Sequence, residues 1–249
     1  MATSLRRHAL AAALLLLVPL AALAEGEGMP RHAETDVYNR ASLQRGARNF
    51  MNYCSGCHSA QFVRFNRIGA DLGITDAELK ASLMFAAERP FETIKSSMPP
   101  ADARKWFGNA PPDLSLIARA RSVDYLYSFL TGFYADASRP TGVNNQVLPG
   151  TAMPDVLADL QGVQAAVFAP HEASDPSPPE IESFKLAAPG TMSAKEFAEF
   201  VNDTVNFLEY IGEPAQAKRR DLGVWVILFL LVFTGFAFLL KREYFKDIH

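Results

Sequence analysis

The chain has 249 residues and is 49% apolar, enough to build a sizeable core. Its ends skew the charge: between residues 25 and 217, 16 Lys and Arg face 24 Asp and Glu, a balance of −8 against −3 for the whole chain. A field of that sign repels nucleic acid and anionic lipid and steers basic partners toward it.

Residues 1–24 read as a secretory signal peptide. Arg6, Arg7 and His8 form a basic start, an Ala/Leu run follows from Ala9 to Leu20, and Ala22-Leu23-Ala24 supplies a small-residue cleavage signal. An exported domain follows over residues 25–217, within the ordinary range for a single domain. An amphipathic stretch predicts a helix over about 37–53, running into Cys54-Ser-Gly-Cys57-His58, which holds the only two cysteines of the sequence.

Cys-x-x-Cys-His is the attachment signature of a c-type haem. Residues three and four apart share a helical face, so both thiols reach the two vinyl groups of one porphyrin, and the histidine projects toward its iron. The rival readings lack parts. A thioredoxin-like redox pair wants a preceding strand, a zinc site wants two further ligands, and a disulfide here would close a trivial loop. One covalently bound haem c is the expected cofactor.

Further helices are predicted over about 75–88, opened by a Thr75-x-x-Glu78 capping box, and over 122–133 and 154–161. Another spans 193–211, opened by Ser193-x-x-Glu196 and closed by Gly212. Strand signals are thin, amounting to one hairpin within 163–188. Gln164 to Pro189, with Asp-Pro-Ser-Pro-Pro at 175–179, is acidic and proline-rich and reads as an exposed excursion. From Leu222 to Leu240 the chain is uncharged for 19 residues, a helix of roughly 28 Å that matches a bilayer core. Lys218-Arg219-Arg220 and Lys241-Arg242 bracket it. Basic residues on both sides give no orientation; the signal peptide does, leaving residues 25–217 outside and the tail 242–249 inside.

His/Met ligation would raise the haem potential toward that of a cytochrome c. His32 and His171 are the other exterior histidines. Met51 lies too close to Cys54, Met84 falls within a predicted helix, and Met192 precedes a capping box. Met98, in Ser-Met-Pro-Pro, lies 40 residues after His58, and Met153, in Pro149-Gly-Thr-Ala-Met-Pro154, lies 95 after it. Spacing alone leaves both open, with Met153 slightly ahead because Gly150 and Ala152 allow close approach to a flat ring.

Several segments in order resemble the cytochrome c1 family: Cys54–His58, Ala110-Pro-Pro-Asp-Leu-Ser115, Ile117-Ala-Arg-Ala-Arg121, Asp124-Tyr125 and Leu130-Thr-Gly132, then Pro149–Pro154, Gly190-Thr-Met-Ser193 and Gly212-Glu-Pro214 before a basic cluster and one span. The resemblance covers most of 35–245 and implies a mainly α protein, a cytochrome c-like haem domain with loop insertions plus one C-terminal transmembrane helix. It implies Met153 as axial ligand beside His58, and Arg121 as a haem-propionate partner, which suits a planar guanidinium fork. Tyr125, one helical turn beyond, would line the haem edge, Pro111 and Pro112 would pack on the ring, and Asn109 would make a polar contact.

The family is the haem subunit of the ubiquinol–cytochrome c oxidoreductase, or cytochrome bc1, complex. The implied role is to carry one electron from a Rieske iron–sulfur protein to a c-type cytochrome, beside cytochrome b, in a dimeric complex. Such a chain makes no bond to substrate by itself. The implied layout is a signal peptide (1–24), periplasmic domain (25–217), anchor (218–241) and cytoplasmic tail (242–249) in a bacterial inner membrane. The runner-up is an anchored cytochrome c with no obligate complex.

Overall fold

A computed structural model describes residues 29–170 and 179–246. The signal-peptide expectation, His171, and most of the Asp-Pro-Ser-Pro-Pro run lie outside those residues. About half of what is described is helical, in nine helices, with three two-stranded sheets.

Two helices form the centre. In α1 (Arg40–Tyr53), Asn39 caps the N-terminus by accepting from the Ser42 amide, and Leu43, Ala47, Phe50 and Met51 recur at helical spacing and are buried. In α8 (Ala194–Gly212) the capping box of Ser193 and Glu196 is formed, and Phe197, Val201, Val205 and Leu208 supply the facing stripe. The two cross where Phe50 meets Phe207, ring centroids 5.7 Å apart. Beside them Arg45 forms a two-pronged ion pair with Asp203, and Asn49 Nδ2 donates to Thr204. Gly46 sits at the crossing: a Cβ there would lie 2.0 Å from the Asp203 carbonyl oxygen and 2.7 Å from Phe207 Cβ. Gly46→Ala is therefore expected to cost about 1–3 kcal/mol or more by forcing the helices apart, read as a lowered thermal midpoint.

Smaller elements wrap this pair. Strand β1 (Ala60–Arg64) pairs antiparallel with β2 (Thr93–Ile94). Between them lie α2 (Phe65–Leu72), ended by Gly73 at φ 68°, and α3 (Asp76–Ser82), opened by the expected Thr75/Glu78 box. The helix predicted to reach residue 88 stops at Ser82, because Leu83 and Met84 both donate to the Leu79 carbonyl and turn into the core. Then follow α4 (Pro100–Phe107), α5 (Ile117–Arg121) and α6 (Val123–Thr131). The helices α2, α4 and α5 are five to eight residues long and were not expected from the sequence.

Strand β3 (Phe133–Ala135) pairs with β4 (Val143–Asn145). The helix predicted over 154–161 shrinks to α7 (Ala158–Gln161), since Asp155 accepts from the Leu157 amide and holds the preceding residues in a turn. The expected hairpin is present as β5 (Gly162–Phe168) and β6 (Ile181–Pro189). Its stem is not a free excursion: Gln164 Nε2 donates to the Thr131 and Phe133 carbonyls, and Tyr134 packs on Phe168 and Phe184.

Helix α8 runs through Gly212, and Glu213 rather than Gly212 is its C-cap. Pro214 follows, and after it comes α9 (Gln216–Tyr244), 29 residues with a window of mean hydropathy 2.6, none of it buried by the rest of the chain. Among the described residues it is the one helix long and apolar enough to cross a membrane. Glu213 joins it to the body, accepting from Arg119 at the end of α5 and from Arg219 in α9, at 2.5 and 2.6 Å. Arg219 first, and then Arg119, hold its carboxyl below the usual glutamate range.

Candidate haem site

Helix α1 delivers the cysteines. Cys54 is its C-cap, donating to Phe50, and the amides of Cys57 and His58 both return to the Cys54 carbonyl at 3.1 and 2.8 Å. This turn folds the five-residue motif onto one side of a cavity of about 360 Å³. Burial pushes the Cys54 thiol up to about 12, with Cys57 adding to it, and burial also raises Cys57. Thiols held neutral beside an apolar cavity are unlike an activated redox pair, whose thiolate must be stabilised.

His58 is buried, and its Nδ1 lies 2.8 Å from the Pro112 carbonyl oxygen. A carbonyl only accepts, so Nδ1 carries the proton and Nε2 keeps its lone pair for a metal, the arrangement in which an outer partner orients a ligating imidazole. Burial lowers the His58 pKa, against the Pro112 bond, and so favours the neutral ligating form. The Pro111-Pro112 loop is in turn tied to the strand after the motif: Asp113 accepts from the Gln61 amide, and Leu114 donates to Ser59.

Arg121 and Tyr125 reach the cavity from two helices rather than from successive turns of one. Ser122 separates α5 from α6 at φ 96°, ψ 157°, a region that glycine alone adopts readily, and it caps α6 by accepting from the Tyr125 amide. The break brings the Arg121 guanidinium over the Tyr125 ring, 5.4 Å from its centroid.

Cys54, Cys57, His58, Asn109, Pro111, Pro112, Arg121, Tyr125 and Met153 all line this one cavity. Met98 is not among the lining residues; its amide donates to Ser96. His32 is elsewhere too, with Nδ1 against Asp124. The rest of the wall is mostly apolar and comes from distant segments, including Leu114, Ile117, Phe129, Val156 and Leu208, with Thr151 and Thr204 as polar members. Only Phe129 carried a local signal, standing one turn after Tyr125, on which its ring stacks. A paired thiol anchor, an imidazole with a free nitrogen, a thioether, apolar walls and a guanidinium fit a flat iron macrocycle with an anionic edge.

Fold and site thus define a membrane-anchored haem protein of the electron-transfer class. Comparison with known proteins gives the family. The profile described as Cytochrome C1 family matches residues 30–166 and 188–248. Cytochrome c1 of Allochromatium vinosum is 47% identical over 247 residues, 98% of this chain and 100% of that protein. A protein named ammonia monooxygenase gamma subunit, from Nitrosomonas europaea, is 41% identical over 236 residues, 94% and 96% of the two chains. Cytochrome c1 of Rhodospirillum rubrum is 29% identical over 280 residues, 100% and 99%. The chain belongs to the cytochrome c1 family. Cytochrome c1 is the haem electron-transfer subunit of the bc1 complex. The stretch that the profile skips, 167–187, falls in the hairpin, the same region that matched no motif in the sequence.

Proposed function

We propose that this chain carries one electron from a Rieske iron–sulfur protein to a c-type cytochrome, as a subunit beside cytochrome b in a dimeric quinol–cytochrome c oxidoreductase. The observation that carries the reading is the convergence of both cysteines, a histidine with a free Nε2, and Met153 on one apolar cavity.

In this reading Cys54 and Cys57 would hold a single haem through their two sulfurs, and His58 and Met153 would offer a nitrogen and a thioether sulfur to its iron. A bound haem supplies a reversible one-electron couple and forms no bond to substrate. The chain's own groups do the rest. Pro112 orients the His58 ring through Nδ1, Pro111 and Pro112 press on one wall, and the side chains of Leu114, Ile117, Phe129 and Val156 exclude water. Arg121, fixed over Tyr125, offers its fork to a propionate at the cavity edge, with Asn109 as a polar neighbour. Exclusion of water and a thioether ligand both favour a positive potential. The acidic outer domain favours brief docking of a basic acceptor. Residues 25–217 lie in the periplasm in this reading, 218–241 span the inner membrane and 242–249 face the cytoplasm.

The test is to tag the C-terminus, solubilise membranes gently and record redox difference spectra of what co-purifies. A c-type band together with b-type bands, and quinol-dependent reduction of added cytochrome c, is the expected result. A c-type band alone, stable and without quinol activity, would leave an anchored carrier instead.

A further inference from the structure

Between β4 and α7 the chain that carries Met153 has no helix or strand of its own. Near its start Gln146 donates to Gly132 and the Asn145 side chain accepts from Val147 and Leu148; nearer Met153 it is gripped at one turn. The Gly150 amide donates to Asn144 Oδ1 at 2.8 Å, and the Gly150 carbonyl accepts from Arg139 Nη2 at 2.9 Å. Gly150 itself is at φ 78°, where a side chain would be strained.

The grip is braced from behind. Asn144 Nδ2 donates to Asp136 Oδ2 at 2.9 Å, and the other oxygen of Asp136 accepts from the amide and hydroxyl of Ser138. That bond fixes which end of the Asn144 amide faces Gly150. Arg139 Nε is buried with no partner. From the turn the hold runs on to the ligand segment, where Thr151, itself buried, accepts from the Met153 amide at 3.3 Å.

We propose that Asn144 and Arg139 are positioning residues for Met153, clasping both polar groups of Gly150 so that the thioether stays at the cavity wall. The inference rests on the reading of Met153 as an axial ligand. Loss of either clasp shifts the balance toward a released loop by about fivefold, the worth of one ordinary hydrogen bond.

The test uses the full haem-loaded chain in detergent, with added imidazole as the competing iron ligand. Two signals are followed: the imidazole affinity, and the weak red charge-transfer band of methionine-ligated ferric haem. Asn144→Ala and Arg139→Gln are each expected to raise the imidazole affinity about fivefold and to weaken the band. Asn144→Asp alone sets two carboxylates against each other and is expected to do the same. Combined with Asp136→Asn it restores one amide facing one carboxylate, with an acceptor still turned to Gly150, and is expected to return both signals to wild type. This pair carries the comparison if Asn144→Ala does not accumulate. Unchanged affinity in the single variants, or no rescue by the swap, overturns the proposal. Met153→Leu separates the two levels: if it too leaves both signals unchanged, the ligand reading itself has failed.

Discussion

Met153→Leu is expected to lower the haem midpoint potential by roughly a few hundred millivolts, a large part of the ~0.8 V that axial ligation spans. A thioether is a soft ligand and stabilises the reduced iron, whereas an alkyl side chain offers no lone pair. Leucine and methionine are close in volume, and such swaps are usually tolerated, so the fold should persist and the change should be electronic. Redox titration of the purified variant reads the shift directly. Reduction by a Rieske protein should fail with it, because the electron would then run uphill. An unchanged potential would move the ligand to Met98, which does not line the cavity and would have to be carried into it.

The second large effect concerns attachment. After boiling in detergent and electrophoresis, the wild-type chain is expected to keep its haem, visible by peroxidase staining at the position of the polypeptide. The double substitution Cys54→Ala, Cys57→Ala is expected to abolish that stain, and each single substitution to leave a weaker one through the remaining sulfur. The geometry argues for this because both thiols line the same cavity wall, joined by a turn that closes on the Cys54 carbonyl. A stain surviving in the double variant would mean attachment elsewhere on the chain. An absent stain in the wild type would mean that the haem is held by ligation alone.

What could be read from the sequence was local. Cys54-Ser-Gly-Cys-His58, the two capping boxes, the terminal apolar run and the hairpin are each written within a few neighbouring residues, and all are present in the fold. Beyond the Cys54–His58 motif the site roster was legible only through resemblance, since spacing left Met98 and Met153 open. What escaped was tertiary. Pro112 meets His58 across 54 residues, and no periodicity announces a carbonyl as the partner of an imidazole. The helix expected over 122–133 does open at Ser122, but the positive φ of that residue, which sets Arg121 and Tyr125 on two helices, is visible only in how α5 and α6 turn. The overlong prediction over 75–88 failed because Leu83 and Met84 are apolar enough to continue a helix, yet core burial claims them in a turn. Nothing local announces that at Gly46 the backbone of a second helix lies 2.0 Å from where a Cβ would stand.

The carboxylate of Glu213 is shared by two guanidiniums, one at the end of α5 and one in the first turns of α9. Only a short Glu-Pro junction separates α8 from α9. The two guanidiniums brace that junction from both sides, one from the body and one from the long helix. In the proposed reading, a junction braced in this way limits how far the cofactor cavity leans relative to the membrane helix, like a lamp on a stayed post. On that reading, the travel needed for the electron to pass is left to the molecules that visit the chain rather than to the chain itself.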